Sequence, residues 1–224
     1  MPIDPDQKAL WLYELSLNGF IVLRQFLPPS LIQAMTDQFL PIYNAEMERA
    51  RQGDTANLRG RNRLSLDLTP YIKHLGGALD DERYRRNPVI QELAEAILGR
   101  WRYGVTKAEC PFQDSNVMAW HPDLSLDETG DPAGPPRPRR LTFNVALTDI
   151  NDANGPMEVI PGSHRMHHHQ TARWIQEVPD IHAVKLLMRR GDCLLRDGNL
   201  LHRGTTNISG RPRILLDQTY RTLD

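Results

Sequence analysis

At 224 residues, with 40% hydrophobic and 25% charged side chains, the chain is long enough to bury one sizeable core and requires no second domain. Its 27 basic and 28 acidic residues leave a net charge of -1, which offers a polyanion such as DNA no global attraction, and no apolar run nears the roughly 18–20 residues that cross a bilayer. Two cysteines, Cys110 and Cys193, make no disulfide framework, and the opening MPIDPDQKAL has no signal-peptide pattern. The expected setting is therefore the cytoplasm, without nucleic-acid or membrane partners.

In chain order, Asp6 to Leu17 carries Leu10, Tyr13 and Leu17 at helical spacing, stopped by Asn18-Gly19. FIVLRQF follows as a short strand. Pro28-Pro29-Ser30 opens a longer helix through Leu31, Met35, Phe39 and Met47, which Pro41 is expected to kink or split. RLSLDL reads as a strand, and Asn87-Pro88 starts a helix over VIQELAEAIL that Gly99 closes. From about Tyr103 the texture changes to short β-prone runs between turn residues: YGVTKAEC, NVMAWH, RLTFNVALTDI, PMEVIP, AVKLLM, DCLLRD and PRILLDQTY. Strands so closely spaced, without helix patterns between them, predict an antiparallel sandwich or barrel. The expected organisation is one domain over 1–224. Residues 1–100 form a mostly helical part packing on the barrel, and 101–224 form the barrel core.

AWHPD places His121 and Asp123 two residues apart. On an extended segment such residues share a face, and Pro122 disfavours helix between them. His202, after two leucines in GDCLLRDGNLLHRG, offers a second imidazole from a distant strand. Two imidazoles and one carboxylate on one face of a metal leave its other face open, which suits a non-haem Fe(II) that takes a co-substrate and oxygen together. Structural zinc prefers closed sites with thiolates. Arg213 begins RILLDQTY on the face of Leu215, Asp217 and Thr219, where a guanidinium can grip a carboxylate through parallel hydrogen bonds.

At these residues the sequence resembles the phytanoyl-CoA dioxygenase family of Fe(II)- and 2-oxoglutarate-dependent oxygenases. Four segments carry the likeness: NGFIVLRQFLPPSLI, WHPD, NVALTDINDANGPMEVIPGSHR and GDCLLRDGNLLHRGTTNISGRPR. The resemblance implies a mainly β fold with flanking helices, a double-stranded β-helix of cupin-like jelly-roll form. It implies His121, Asp123 and His202 as catalytic iron ligands and Arg213 as partner of the far carboxylate of 2-oxoglutarate. Asn144, on the Thr142 and Ala146 face of RLTFNVALTDI, falls where family members often place a residue near the co-substrate. Lys107 and Gln113 are further candidates. Some relatives carry a small hydroxyl residue two positions after the distal histidine; here that position is Gly204, and the nearby hydroxyls are Thr205 and Thr206.

The implied reaction consumes 2-oxoglutarate and O2, releases succinate and CO2, and oxidises a small molecule, with ascorbate helpful in vitro. Hydroxylation is the expected outcome, although ring closure and desaturation draw on the same chemistry. Related halogenases lack the carboxylate that Asp123 supplies, which argues against halogenation. The compact chain resembles bacterial members that modify amino acids or secondary metabolites more than acyl-CoA enzymes. A cupin-like metalloenzyme that does not use 2-oxoglutarate, such as an isomerase, would share the triad without needing Arg213. A non-catalytic binding module would need neither.

Four features compete for a role. Arg59, Arg61 and Arg63 alternate ahead of RLSLDL and either meet an acidic group on the substrate or make a solubilising edge. Residues 124–140, rich in Gly and Pro directly after the iron motif, read as either a disordered loop or a lid that orders over bound substrate, and their position favours the lid. His167 to His169 read as a solvated loop, and His164 as part of a structural turn.

Overall fold

The computed structural model describes residues 3–124, 138–166 and 183–223. Five helices lie in the first hundred residues: α1 (Pro5–Asn18), α2 (Pro29–Arg51), α3 (Thr69–Leu75), α4 (Glu82–Arg85) and α5 (Pro88–Leu98). The same stretch supplies β1 (Phe20–Leu23) and β2 (Arg63–Asp67). The strands that follow are β3 (Trp101–Pro111), β4 (Arg140–Ala146), β5 (Met157–Val159), β6 (Val184–Leu186), β7 (Cys193–Asp197), β8 (His202–Gly204) and β9 (Leu215–Thr222).

All strand pairs are antiparallel, in a larger sheet ordered β1-β7-β4-β9-β3-β2 and a smaller one ordered β6-β5-β8. The strands therefore form the expected jelly roll with helices outside. The two edges of the larger sheet, β1 and β2, come from the helical half of the chain, so its first hundred residues complete the barrel as well as cover it.

Strand alternation decides which face is which. Leu141, Phe143 and Val145 of β4 join Leu195 of β7 and Leu216 of β9 in a core shared with Ile32, Met35 and Phe39 of α2 and Ile90 and Leu93 of α5. Each such side chain, taken fully out of water, contributes roughly 1.5–3 kcal/mol. The opposite face, turned toward the smaller sheet, carries apolar Leu194 and Leu215 at one end and the polar residues Thr142, Asn144, Arg196 and Asp217 elsewhere. A buried polar face inside a barrel is costly unless paired, and the functional cluster lies there.

Three local expectations change. In α1, Leu10, Tyr13 and Leu17 are exposed, whereas Leu15 is buried and Trp11 and Leu12 pack against the core. Both stripes have helical spacing, so periodicity alone could not select the one that meets β1 and α5. Helix α2 runs from Pro29 through Pro41 to Arg51 as one element. Its buried residues lie on both sides of the proline, Met35 and Phe39 before it and Ile42 and Tyr43 after it, and their packing offsets the missing hydrogen bond. Residues 116–121, read as the strand NVMAWH, form no regular strand; the chain there is tied to β8 by isolated bonds.

Asp197, at the end of β7, has its carboxyl pushed up to about 7 by burial, against the backbone N–H of Asn199 that donates to it at 2.7 Å. A carboxyl whose folded pKa is raised favours folding most where it stays protonated. Its contribution falls as pH climbs from the unfolded value of 3.8 through about 7. Asp197→Asn keeps the acceptor and removes the charge. Its stability relative to the native chain should improve by about 2 kcal/mol between about pH 5 and about pH 8, then level off. Urea unfolding of both proteins at the two pH values measures this; a gap that does not change with pH would rule out burial of the charge as the cause.

Candidate metal centre

His121 and His202 face each other across an antiparallel bridge in which each backbone N–H donates to the other's carbonyl at 3.1 Å. Their ring centroids lie 4.5 Å apart. Each ring is fixed in the same way: Nδ1 lies 2.8 Å from the Ala119 carbonyl in His121 and 2.9 Å from the Leu200 carbonyl in His202. A carbonyl only accepts, so Nδ1 carries the proton and Nε2 keeps its lone pair. Burial, reinforced by the charge of Arg196, pulls His202 down to about 3, which keeps its ring neutral.

Asp123 arrives because the chain turns after Pro122. The amides of Asp123 and Leu124 both donate to the Gly198 carbonyl, at 2.8 and 3.2 Å, in the turn between β7 and β8. Its Oδ1 then lies 3.7 Å from His202 Nε2, and the ligating atoms of His121, Asp123 and His202 all fall within 4.8 Å of one another. Backbone bridging to β8 thus brings the pair to His202 without the strand the alternation reading supposed. The donor set of two freed imidazole nitrogens and one carboxylate oxygen fits a divalent transition metal with one coordination face left open.

The other carboxylate oxygen of Asp123 is held from behind. Arg196 Nη1 lies 2.6 Å from Oδ2, Arg140 Nη2 lies 3.6 Å away, and Thr142 Oγ1 donates at 3.4 Å. Burial opposes ionisation of Asp123, but Arg196, with Arg140, outweighs it and keeps the carboxyl well below the ordinary carboxylate range. Arg196 is itself oriented by Asn144, whose Oδ1 accepts from Nε at 3.3 Å and whose Nδ2 donates to Asp217. Burial, then Glu109, raises Asp217 to about 7.

The three residues open into a cavity of about 240 Å³. Arg213, Lys107, Arg59 and Arg63 also line it, as do Arg140, Arg196, Glu109 and Asp217 with Met118, Met157 and Leu215 as its apolar wall. The other residues singled out in the sequence lie elsewhere. Asn144 does not line the cavity and reaches it through Arg196. Thr205 commits its hydroxyl to the Pro156 carbonyl at 2.7 Å. Gln113 is exposed on a different hollow, beside Asn62 and Gly210, and Arg61 is exposed and donates through Nε to the Asp114 carbonyl at 2.9 Å. Residues 125–137 of the expected lid and His167 to His169 lie outside the described residues.

Arg196 was not anticipated. Its signal in the sequence is one arginine alternating with Leu194 on the inward face of the strand CLLRD, where the sheet register pairs it with Thr142. A larger hollow of about 610 Å³ beside Arg24 and Met188 holds no cluster of ligating groups among the described residues, and Arg24 is paired there with Asp192 at 2.7 Å. No helix among the described residues is long and apolar enough to cross a membrane.

The chain is similar to known proteins along most of its length. A profile of the family "Phytanoyl-CoA dioxygenase (PhyH)" matches residues 15–215. Dioxygenase FrzG of Cladobotryum is 27% identical over 206 residues, which cover 85% of this chain and 66% of FrzG. The ectoine dioxygenase of Bordetella parapertussis is 30% identical over 166 residues, covering 63% of this chain and 53% of its own length. The chain thus spans about half to two thirds of the curated relatives it matches. A crystal structure of EctD from S. alaskensis with 2-oxoglutarate and 5-hydroxyectoine superposes with a TM-score of 0.69 at 20% identity, covering 99% of this chain and 77% of that one. Matched along nearly its whole length by the family profile, the chain belongs to the phytanoyl-CoA dioxygenase family.

Proposed function

We propose that the chain is an Fe(II)- and 2-oxoglutarate-dependent dioxygenase that hydroxylates a small molecule of amino-acid-like or secondary-metabolite type, with release of succinate and CO2. The observation that carries this reading is the convergence of His121 Nε2, His202 Nε2 and an Asp123 oxygen at the wall of the cavity that also receives the buried Arg213. Relatives named as ectoine dioxygenases, and a neighbour crystallised with 2-oxoglutarate and a hydroxylated product, support it. Two buried free thiols, Cys110 and Cys193, fit a reducing cytoplasm, and residues 1–224 are read as one domain.

In this reading His121, Asp123 and His202 hold the iron. When bound, the iron couples oxidative decarboxylation of 2-oxoglutarate by O2 to oxidation of a C–H bond. The chain's own residues do the rest. Arg196 and Arg140 keep Asp123 ionised and aimed, so the carboxylate meets the metal without a proton to lose. Nδ1 bonds to backbone carbonyls hold both imidazoles in the ligating tautomer. Arg213 grips the far carboxylate of 2-oxoglutarate and sets its direction in the cavity. Met118, Met157 and Leu215 exclude water from the reacting end.

Purified protein given Fe(II), ascorbate and 2-oxoglutarate should form succinate even without its substrate, and Arg213→Ala should suppress that formation. No Fe(II)-dependent succinate, or equal succinate from the variant, would overturn the reading.

A further inference from the structure

Among the described residues the metal cavity carries more positive charge than its known occupants remove. Six arginine and lysine side chains line it against three carboxylates, those of Glu109, Asp123 and Asp217. A bound divalent metal adds two positive charges and 2-oxoglutarate brings two negative ones, so the loaded cavity keeps its excess. Asp217, raised to about 7 by burial and then Glu109, is partly protonated at neutral pH and widens it. Most of the cations are engaged. Arg196 and Arg140 face Asp123, Arg213 is assigned to the far carboxylate of 2-oxoglutarate, and Arg63 spends Nη2 on the carbonyls of Asn116 and Thr205, both at 2.9 Å. Arg59 and Lys107 remain, and among the described residues neither side chain forms an ion pair or a hydrogen bond.

Arg59 is exposed at the rim, on a loop that is fastened down. Its amide donates to the Arg63 carbonyl at 2.8 Å and closes the turn that feeds β2. Asn62 Nδ2 donates to the Gln113 carbonyl at 2.6 Å, and Arg61 Nε to the Asp114 carbonyl at 2.9 Å. Gly60, left-handed at φ +71°, lets the loop lie on Asn116, whose Oδ1 a Cβ would meet at 2.8 Å. Surface loops are ordinarily mobile; here the neighbours of Arg59 hold the loop and leave its own guanidinium to the cavity. Lys107 lies deeper and is half-buried. In register it stands between Asp67 of β2 and Asp217 of β9, yet it pairs with neither. The next residue on its face is Glu109, about 6.6 Å along β3, whose carbonyl accepts from Arg213 Nη1 at 3.4 Å. Lys107 therefore sits one step beyond the anchor of the co-substrate, toward the positions of Thr142 and Arg196 that back Asp123.

We infer that the substrate carries at least two negative charges, as a phosphate monoester or a dicarboxylate, and that Arg59 meets it at the rim and Lys107 inside. The inference rests on the proposed 2-oxoglutarate dependence and narrows the substrate class by charge. A cavity with surplus positive charge draws such a molecule from solution and repels a cationic one. Phosphate and carboxylate oxygens both accept charge-assisted hydrogen bonds from guanidinium and ammonium groups, so experiment separates the two chemistries. An uncharged analogue leaves both cations without an anion, and discrimination against it follows.

The test is calorimetric titration, without oxygen, of protein saturated with Fe(II) and 2-oxoglutarate. Matched probes isolate the charge: glycerol 3-phosphate against glycerol, and N-acetyl-L-aspartate against N-acetyl-L-alanine, with L-proline as a zwitterion. At least one polyanion should bind about tenfold or more tightly than its partner and than L-proline, and which one does so identifies phosphate or carboxylate as the recognised group. Arg59→Gln and Lys107→Met should each weaken that polyanion by about tenfold or more, and the wild-type preference decides the matter if a variant fails to fold. If the protein holds 2-oxoglutarate but prefers neither polyanion, the inference is wrong and the dioxygenase reading survives. A preference that both variants keep, or a Lys107→Met variant that loses 2-oxoglutarate and keeps the polyanion, overturns it as well. If the Fe(II)-loaded wild type binds no 2-oxoglutarate, the dioxygenase reading fails and the inference with it.

Discussion

Arg196→Met is expected to lower Fe(II) affinity, and with it 2-oxoglutarate-dependent succinate formation, by about 10- to 100-fold, although Arg196 is not placed as a ligand. Three links carry the effect. Its Nη1 lies 2.6 Å from the Asp123 oxygen that turns away from His202, so it sets which oxygen faces the metal. Its charge is the largest of those that keep Asp123 ionised against burial. Its Nε draws on Asn144, so removal loosens the Asn144–Asp217 pair as well. Removing one member of a buried ion pair costs about 3–5 kcal/mol. Asp123 keeps 17% side-chain exposure and Arg140 at 3.6 Å, which puts the stability loss below that range. Arg196→Lys retains the charge without the fork and should recover part of the iron affinity. Fe(II) titration followed by thermal unfolding separates the effects: lower stability with unchanged iron affinity would reduce Arg196 to a packing role.

The same residue shows what a sequence can and cannot convey. His121, Asp123, His202 and Arg213 were legible because their chemistry is compressed into short phrases with few other readings. The two faces of β4 were legible because alternation along LTFNVA is unbroken. Arg196 was hidden, since one arginine in a strand usually points to water, and only the pairing of β7 with β4 turns it inward. Arg59, Arg61 and Arg63 looked equivalent as alternate residues. They separate because Arg63 starts β2 and is buried, Arg59 stays exposed at the cavity and Arg61 turns to the Asp114 carbonyl. Helix α1 failed for a different reason: two stripes of helical period were present, and choice between them belongs to tertiary packing. Strand β8 is only three residues long and has a histidine, an arginine and a glycine, so no propensity marks it; its partners β5 and His121 define it.

Gly155→Ala should be the most damaging change in the turn NGPMEVIPG, and its effect should reach the co-substrate. Gly155 has φ of +80°, a left-handed conformation that costs another residue about 1–2 kcal/mol. A Cβ there would also lie 2.9 Å from the Thr205 carbonyl and 3.3 Å from the Asn207 amide, both backbone atoms that cannot rotate away. The total loss of stability is expected to be roughly 2–3 kcal/mol. What makes the site vulnerable is the company of those atoms. The Gly155 carbonyl receives Arg213 Nε, and the Thr205 carbonyl receives Arg63 Nη2. One inserted methyl group therefore shifts the supports of both buried guanidiniums together, and 2-oxoglutarate affinity should fall by about tenfold or more, since misplacing each charged hydrogen bond forfeits about 1.5–3 kcal/mol. Gly155→Asn tolerates the left-handed backbone better but carries the same Cβ. It should recover stability without recovering affinity, because the collision with Thr205 persists. If instead Gly155→Ala unfolds at lower temperature yet binds 2-oxoglutarate as tightly as the wild type, the turn supports the barrel alone, and the anchoring of the two arginines does not depend on it.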